Sequence, residues 1–428
     1  MGTATAVGLV IAACAVVGAN RPSAWAEVPS PLWVAVGATH KGGGTSCTEP
    51  GYNSIQAAIN SASSGQPVDV CAGIYPEQLQ IVKSVAIEGH GDVVVRLPAA
   101  AAESTTACDK AIDQGDQDGI SVCGHVTVSL TGIVIDAAWP AATCSDALYG
   151  ILVGGGATLD FEHSRITAAG AVPLNGCQGG VGIGVGDSIP TPEQVGHLVL
   201  SDSTVAGYQK DGIAVDGSGS TASITGTTVI GIGPTTQIAQ NGIQVSDGAS
   251  AVVAGSTISG DECDYPKMCG ADGLTQTQAA GVAIFGTDAA VTVSKSVISD
   301  SDAGAYYQAD PAGPPPARPE TTFAGDQFRG DRFEAVQLDQ GSALVDGCTL
   351  TGGDVGVEVI QYAGQTFGVN SVVKDATMRG QTVASVDVLS DRAAGDEPGH
   401  LLVTGSLLGA AQVLNNSANI RVEEFKDS

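Results

Sequence analysis

The residues best suited to chemistry are aspartates that recur at one position of an internal repeat. Each follows a short apolar phrase, and the set consists of Asp187, Asp216, Asp247, Asp288 and Asp339. If the phrases are strands stacked on one another, neighbouring carboxylates lie about 5 Å apart and alternate ones about 10 Å apart. These distances bracket the carboxylate separations of retaining and inverting glycoside hydrolases, and an oxygen-rich row also suits calcium. Asp216 and Asp247 are therefore candidate catalytic residues, with calcium as a candidate cofactor.

A structural role is the alternative for these aspartates. Asp216 and Asp247 each precede a glycine, and Asp-Gly is a common turn dipeptide. Nothing in the sequence indicates a transition-metal site, because no Cys-x-x-Cys pair occurs and none of the six histidines lies at ligand spacing from another. The sequence does not identify a bound metal.

Rings and cations collect in the segments between repeats, although only 4% of the chain is aromatic. The rings there are Trp139, Tyr208, Tyr265, Tyr306, Tyr307, Phe323 and Phe328, and the charged residues are Lys210, Lys267, Arg318, Arg329, Arg332, Asp331 and Glu334. Rings cover the apolar faces of sugars, and charged groups bind sugar hydroxyls or carboxylates.

This composition predicts a glycan groove formed by loops that stack on one side. The expected binding residues are Tyr208, Tyr265, Tyr306, Tyr307, Arg329 and Arg332. Lys210 and Glu334 are further catalytic candidates. The alternative is that insertions share one side only because the core of a repeat protein tolerates them nowhere else.

The elements that must position these residues form a repeat. An apolar phrase with glycine at its second position occurs at Asp118–Val122, Tyr149–Val153, Val181–Val185, Asp211–Val215, Asn241–Val245 and Ala280–Ile284. Its glycines lie at 119, 150, 182, 212, 242 and 281, which are steps of 31, 32, 30, 30 and 39 residues. One supersecondary unit per period is typical of a solenoid.

A second phrase follows each first one and alternates apolar and polar residues. In one copy its apolar positions are Ala222, Ile224 and Val229, with Thr227 at a small position. Alternation at period two predicts strands, and the absence of helical periodicity excludes a βαβ fold. Cys348 occupies the small position of a later copy, so we expect it to be a buried substitute for serine.

The N-terminal segment predicts a short helix at Ser54–Ala62 and first strands at Val68–Glu77 and Leu79–Gly91. With its Gly73-x-Tyr75-x-Glu77 turn and a strand ending in Gly89-His90-Gly91, this segment resembles the first coil of the pectin-lyase-like superfamily. The resemblance implies an all-β, right-handed parallel β-helix solenoid with a short N-terminal capping helix.

The resemblance does not select a reaction, because lyases, hydrolases, esterases, epimerases and non-catalytic surface proteins share this first coil. The chain lacks the motif sets of polygalacturonase-like and pectin-methylesterase-like enzymes. It also has no local motif that matches the calcium-binding aspartates and the arginine base of pectate-lyase-like enzymes.

Composition excludes other classes of protein. The chain has 428 residues, 43% of them hydrophobic, and 17 basic against 45 acidic residues give a formal charge of −28. This charge opposes binding to nucleic acid or to anionic lipid, and the apolar content excludes disorder.

The start of the chain and the cysteines predict export. An apolar stretch precedes Ala24-Trp25-Ala26, which has the form of a signal-peptidase site, and the alternative is a lipobox that ends at Cys14. No membrane span follows. We expect local disulfides Cys47–Cys71, Cys108–Cys123, Cys144–Cys177 and Cys263–Cys269, which leave Cys348 unpaired.

The sequence therefore predicts four segments. They are a signal peptide at 1–26, an N-terminal cap and first coils at 27–115, a parallel β-helix at 116–411 with loop insertions at 261–279 and 305–333, and a C-terminal cap or tail at 412–428. The sequence predicts a secreted or cell-surface protein that binds an extracellular polysaccharide. If the protein is an enzyme, we expect it to process that polysaccharide by lyase, hydrolase or epimerase chemistry. The alternative is a non-catalytic structural or adhesive β-helix.

Overall fold

The chain folds as a stack of coils built from parallel strands. The computed structural model describes residues 29–39, 42–99, 105–108, 117–140, 142–144, 148–189, 193–264, 269, 279–286, 291–309, 321–363, 368–390, 398–409, 413–417 and 420–425. Within these residues the long sheets are parallel and one helix is present. The expected all-β parallel β-helix is thereby confirmed. The segment 1–26, Tyr265 and Asp288 lie outside the described residues.

The elements follow one another with short turns. In chain order they are β1 Leu32–Val34, β2 Gly44–Ser46, β3 Glu49–Pro50, α1 Ile55–Ser61, β4 Pro67–Pro76, β5 Leu79–Ile81, β6 Val85–Arg96, β7 Gln117–Cys123, β8 Thr127–Trp139, β9 Leu148–Gly154, β10 Ala157–Glu162, β11 Arg165–Ala171, β12 Val181–Val185, β13 Gly196–Ser201, β14 Thr204–Ala206, β15 Asp211–Asp216, β16 Thr221–Thr225, β17 Thr228–Ile230, β18 Asn241–Ser246, β19 Ser250–Ala254, β20 Thr257–Ser259, β21 Ala280–Phe285, β22 Val291–Ser294, β23 Val297–Ser299, β24 Ala303–Gln308, β25 Thr321–Ala324, β26 Gln327–Arg329, β27 Glu334–Asp339, β28 Ala343–Asp346, β29 Thr349–Thr351, β30 Val355–Gln361, β31 Asn370–Lys374, β32 Thr377–Arg379, β33 Ala384–Ser390, β34 Gly399–Thr404, β35 Val413–Ser417 and β36 Ile420–Phe425.

The strands form three faces of the coil. Face I is a sheet made of β5, β7, β9, β12, β15, β18, β21, β24, β27, β30, β33 and β35. The second large sheet bends and provides the other two faces: face II, which includes β1, β4, β6, β10, β16, β25 and β36, and face III, which includes β11, β14, β17, β20, β23 and β26. The apolar phrases predicted from the sequence are the strands of face I.

Stacked side chains fill the interior of the coil. Ile213 and Val215 on β15 pair in register with Ile243 and Val245 on β18, and all four are buried. Because every coil adds the same apolar positions, burial of these ladders stabilises the whole stack at about 25 cal/mol per Å² of apolar surface.

A ladder of hydroxyl groups joins faces II and III. The Ser164 hydroxyl donates to the Glu162 carbonyl at 2.8 Å and accepts from the Ile133 N–H at 3.0 Å. Ser296 makes the equivalent bonds in a later coil. Its hydroxyl donates to the Ser294 carbonyl and accepts from the Ser256 N–H. Each hydroxyl thus satisfies two backbone groups that a tight bend would leave buried and unpaired.

Cys348 occupies the same ladder, as the sequence predicted. It is free and buried, and its thiol donates to the carbonyls of Phe323 and Asp346 at 3.4 and 3.6 Å. Burial raises the pKa of the thiol to about 12, so Cys348 remains a neutral hydrogen-bond donor.

Strands of all three faces occupy described parts of the segment 305–333 that the sequence assigned to a loop insertion. The strands β24, β25 and β26 continue faces I, II and III there. Tyr307, Phe323 and Phe328 point into the core and are at most 3% exposed. These rings replace the usual Val and Ile of the ladders, and this substitution conceals the repeat in the sequence.

The recurrent glycine of the first phrase lies at a crowded inner corner between faces III and I. A Cβ atom on Gly212 would come within 2.5 Å of the Gly242 carbonyl, and one on Gly242 would come within 2.9 Å of Asp261 Oδ2. Glycine is therefore required where backbones pass closely and where a buried side chain such as that of Asp261 turns inward.

All four expected disulfides are present: Cys47–Cys71, Cys108–Cys123, Cys144–Cys177 and Cys263–Cys269. The helix α1 begins after Ser54, whose hydroxyl accepts from Ala57 N, and it buries Ile55 and Ile59. Among the described residues, no helix is both long enough and apolar enough to span a bilayer.

Asp326 replaces serine in the hydroxyl ladder and should make stability depend on pH. Burial raises the pKa of its carboxyl to about 6, against hydrogen bonds from Ser296 N and Ala324 N. A raised folded-state pKa means stability that is present at low pH and is lost as the pH rises from about 4 to about 6. We expect the Asp326 carboxyl to cost the wild type roughly 2 kcal/mol of unfolding free energy across this range. The Asp326→Ser variant should not show this loss.

Urea unfolding of both proteins between pH 4 and pH 7 measures this difference. Asp302, whose pKa is also about 6, titrates in both proteins and cancels. Parallel stability profiles for wild type and Asp326→Ser would contradict the prediction.

Candidate functional site

One outward row of face I changes character along the stack. Residues paired in register at its centre are Gln80, Ser121, Leu152, Gly184, Ala214, Gln244, Ala283, Tyr306, Gln337, Glu358, Asp387 and Leu414. The row is mostly small or apolar as far as Ala283 and polar from Tyr306 to Asp387. Chemistry on this face is therefore concentrated on β24, β27, β30 and β33.

Asp339 lies at the centre of the polar part. Its Oδ2 accepts hydrogen bonds from the phenol of Tyr306 at 3.0 Å and from the phenol of Tyr362 at 2.9 Å. Its Oδ1 accepts from the Gln337 amide at 3.2 Å. Three side chains from three coils thus fix one carboxyl group. Glu358 and Asp387 follow Gln337 in the outward row of the next two strands. We call Asp339, Tyr306, Tyr362, Gln337, Glu358 and Asp387 the Asp339 cluster.

Burial controls the protonation of this cluster. Asp339 has no exposed surface, and burial raises the pKa of its carboxyl although the three hydrogen bonds oppose that rise. Burial also raises the pKa of Asp387. The pKa of Tyr306 is raised by burial first and then by the Asp339 charge, so its phenol keeps its proton and remains a donor.

Such a cluster can move protons. Glu358 and Asp387 pair in register on adjacent strands, so their backbones are about 4.8 Å apart. Carboxyl groups with raised pKa beside a protonated phenol are suited to general acid–base catalysis, and perturbed pKa values concentrate at functional sites. The ring of Phe285 contacts that of Tyr306 edge-on at 5.6 Å, which adds an apolar surface beside the carboxyls.

The structure places the catalytic candidates Asp216 and Asp247 in the middle coils, Asp216 at the end of β15 and Asp247 directly after β18. Asp216 accepts from Ser188 N at 2.7 Å and from the Ser246 hydroxyl at 2.6 Å. Asp247 accepts from the Ser188 hydroxyl at 3.3 Å, and its backbone has a φ of +50°. These contacts favour the structural alternative, because both carboxylates hold turns together.

The other catalytic candidates lie elsewhere. The Lys210 ammonium donates to the Ala239 carbonyl at 3.0 Å at the corner between faces III and I. Glu334 begins β27, whereas Asp339 ends it, so they are about 16 Å apart along the strand. Asp216 and Asp247 meet at Ser188, which donates to both carboxylates. Lys210 precedes β15 and Glu334 begins β27, so neither joins them.

The expected sugar-binding residues also separate. Tyr306 belongs to the Asp339 cluster, but Tyr307 is buried in the core, and Arg329 ends β26 on face III. The Arg332 guanidinium binds Asp264 and Asp302 at 2.8 and 3.2 Å. Tyr265 lies outside the described residues.

Tyr208 is part of a buried corner and not of a groove. It has no exposed surface, and its hydroxyl donates to Asp261 Oδ1 at 2.6 Å. Burial raises the pKa of Asp261 well above its usual value. A ring enclosed in this way cannot stack on a sugar.

Sequence reasoning missed Gln337, Glu358, Tyr362 and Asp387. The signal for two of them was present, because the phrases Glu334–Leu338 and Val355–Val359 continue the repeat. Their fourth residues are Gln337 and Glu358, at the outward position that carries Ala214 in earlier coils. Tyr362 follows its strand in a turn, and no periodicity could have placed it.

No protein-family model matches the chain, and no curated protein matches it in sequence. Solved structures do match. The Agl-KA catalytic domain is 13% identical with a TM-score of 0.56; the match covers 86% of this chain and 64% of that domain's chain. A double mutant of the periplasmic alginate epimerase AlgG is 12% identical with a TM-score of 0.52, over 84% of this chain and 77% of the epimerase. At these identities the likeness is one of fold.

Tyr208→Phe tests whether this ring is structural. The substitution removes the hydroxyl that donates to Asp261, whose Oδ2 already has no hydrogen-bond partner among the described residues. We expect a loss of roughly 1–3 kcal/mol in the free energy of unfolding, measured with urea, and unchanged polysaccharide binding by the folded protein. Weakened binding at wild-type stability would instead place Tyr208 in a sugar site.

Proposed function

We propose that this chain, which has the parallel β-helix fold of the pectin-lyase-like superfamily, binds and processes an extracellular polysaccharide on face I of its C-terminal coils. The observation that carries the proposal is the Asp339 cluster, in which two phenols bind one buried carboxyl oxygen at 3.0 and 2.9 Å. The earlier described positions of the same outward row, from Gln80 to Ala283, carry no ionisable side chain.

The comparisons support the substrate class. One structural neighbour is named as an alginate epimerase, and alginate is a polysaccharide. The chain spans only 64% of the Agl-KA catalytic domain's length. The activity and substrate proposed for this chain are therefore inferred from its own residues.

Roles follow from the protonation of the cluster. Asp387 has a raised carboxyl pKa and acts as acid or base. Asp339 also has a raised carboxyl pKa but no exposed surface, so it exchanges protons through the phenols that bind it. Tyr306 and Tyr362 each donate their single O–H to Asp339. Their oxygens can therefore accept a hydrogen bond or proton from a sugar hydroxyl while the phenol proton passes to the carboxyl. Glu358 supplies a second carboxylate from the neighbouring strand. Lyase, hydrolase and epimerase reactions all require such a proton transfer.

Secretion or cell-surface display is part of the proposal. Four disulfides suit an oxidising compartment, and either a signal peptide at 1–26 or a lipid anchor at Cys14 would deliver the chain there. Within this proposal the coil is right-handed, as parallel crossovers are, α1 caps its N-terminal end, and calcium is a candidate cofactor because carboxylate oxygens suit it.

A non-catalytic adhesive role is the second candidate. It is favoured by the small and apolar outward residues of the middle coils, such as Gly184, Ala214 and Ala283 on face I. These positions carry no group that could transfer a proton, which fits binding better than it fits chemistry.

Substitution within the cluster tests the proposed function. The protein is incubated with neutral and uronate polysaccharides, with and without calcium, while reducing ends, unsaturated products and C5 configuration are followed. We expect Asp339→Asn to lower the rate about 10²–10⁴-fold, because the substitution removes the proton-transferring group. Asp160→Asn, the same change on the outward side of face II, is the control and should retain the rate.

Two other results would change the conclusion. Inertness of the wild type on every substrate, with glycan binding retained, would establish the adhesive role. Activity that survives Asp339→Asn but is lost in Asp216→Asn would move the site to the aspartate row of the middle coils.

A further inference from the structure

A separate group of metal-ligating side chains lies on the outward side of face II in the first coils. It consists of Asp69 on β4 and of Glu88 and His90 on β6, and one ligand atom from each lies within 4.8 Å of the others. The strands pair in register with Asp69 opposite Glu88 and Cys71 opposite His90. Two adjacent coils therefore direct three ligands to one point, far along the stack from the Asp339 cluster.

The His90 nitrogen that faces the carboxylates is buried and forms no hydrogen bond with them. His90 Nε2 is buried and has no hydrogen-bond partner among the described residues, although Asp69 Oδ1 is 3.4 Å away. A buried ring nitrogen without a partner costs free energy. A cation between the imidazole and the carboxylates would satisfy this atom.

The surroundings orient the ligands. The His90 ring stacks on Trp33 of β1, with centroids 5.2 Å apart and planes 22° apart. Asp69 is 8% exposed, so its charge lies largely outside bulk water, whereas Glu88 is exposed. The adjacent disulfide Cys47–Cys71 holds β4 at this level. A fixed imidazole and a buried carboxylate form a prepared site, and the exposed glutamate can close over an ion.

The donor set favours zinc over the hard cations calcium and magnesium. One imidazole nitrogen and two carboxylate oxygens are zinc ligands, and three protein ligands leave a fourth tetrahedral position for water. Calcium and magnesium prefer sites made of oxygen alone.

We propose that Asp69, Glu88 and His90 bind one Zn²⁺ ion that joins the coils of β4 and β6. The site is independent of polysaccharide processing on face I. Because the folded chain binds the ion and the unfolded chain does not hold the three ligands together, zinc stabilises the N-terminal coils.

A second group with similar residues provides a matched control. Glu162, His163 and Asp202 also lie within 4.8 Å of one another, but His163 and Asp202 are exposed. His163 Nε2 lies 3.5 Å from the carboxylate of its sequence neighbour Glu162. This group has no buried nitrogen without a partner.

The test is a calorimetric titration of the full, tag-free protein, stripped with EDTA, with Zn²⁺. We expect one ion per chain, a higher Tm in zinc, and no competition from millimolar calcium. His90→Asn and Asp69→Asn should each weaken binding at least about tenfold, and His163→Asn should leave it unchanged. Replacement of zinc by Co²⁺ should give the visible absorption of a tetrahedral nitrogen and oxygen site.

Glu88→Gln provides the test if His90→Asn and Asp69→Asn fail to fold. The Glu88 side chain is exposed, so its substitution should disturb packing little. Loss of zinc affinity in folded Glu88→Gln supports the site. No binding to wild type, unchanged affinity in Glu88→Gln or His90→Asn, or loss of binding in His163→Asn would each overturn it.

Discussion

The parallel register between successive coils is the constraint on which the rest of the structure depends. Each strand of a face pairs with the equivalent strand of the next coil, so residues such as Ile183, Ile213 and Ile243 stack directly. The strand spacing of about 4.8 Å is fixed by backbone hydrogen bonds. Every inward ladder, every hydroxyl at a bend and every outward row is a consequence of this one spacing.

The register also explains how a chain so rich in carboxylates tolerates buried ones. At the bend, the Asp326 carboxyl accepts from Ser296 N in the preceding coil, as a serine hydroxyl does elsewhere in the ladder. At the inner corner, the Tyr208 phenol and the glycine of the first phrase leave space for Asp261. Burial raises the pKa of both carboxyls, so these acidic positions approach the behaviour of neutral polar groups and add less repulsion to a chain of charge −28.

Two outward regions use the same geometry for different chemistry. On face I the last coils gather Asp339, two tyrosines and further carboxyls into a group suited to proton transfer. On face II the first coils place Asp69, Glu88 and His90 at one point, with a donor set suited to zinc. In both places adjacent strands supply side chains that a single strand would hold on opposite faces or too far apart.

The sequence by itself determined the features that are local or periodic. The first phrase predicted face I, the small position predicted the role of Cys348, and short loops predicted all four disulfides, because each depends on neighbours in the chain or on one repeat. It could not recognise the coil at β24–β26, because Tyr307, Phe323 and Phe328 replace the aliphatic residues that mark the period.

Only the tertiary structure decided which polar side chains meet. Asp339 is 33 residues from Tyr306 and 23 from Tyr362, and Asp69 precedes His90 by 21 residues with a turn between them. The length of each turn sets these pairings, and turn length varies from coil to coil. The repeat therefore fixes what lies inside the coil, whereas stacking after variable turns fixes which groups come together on its surface.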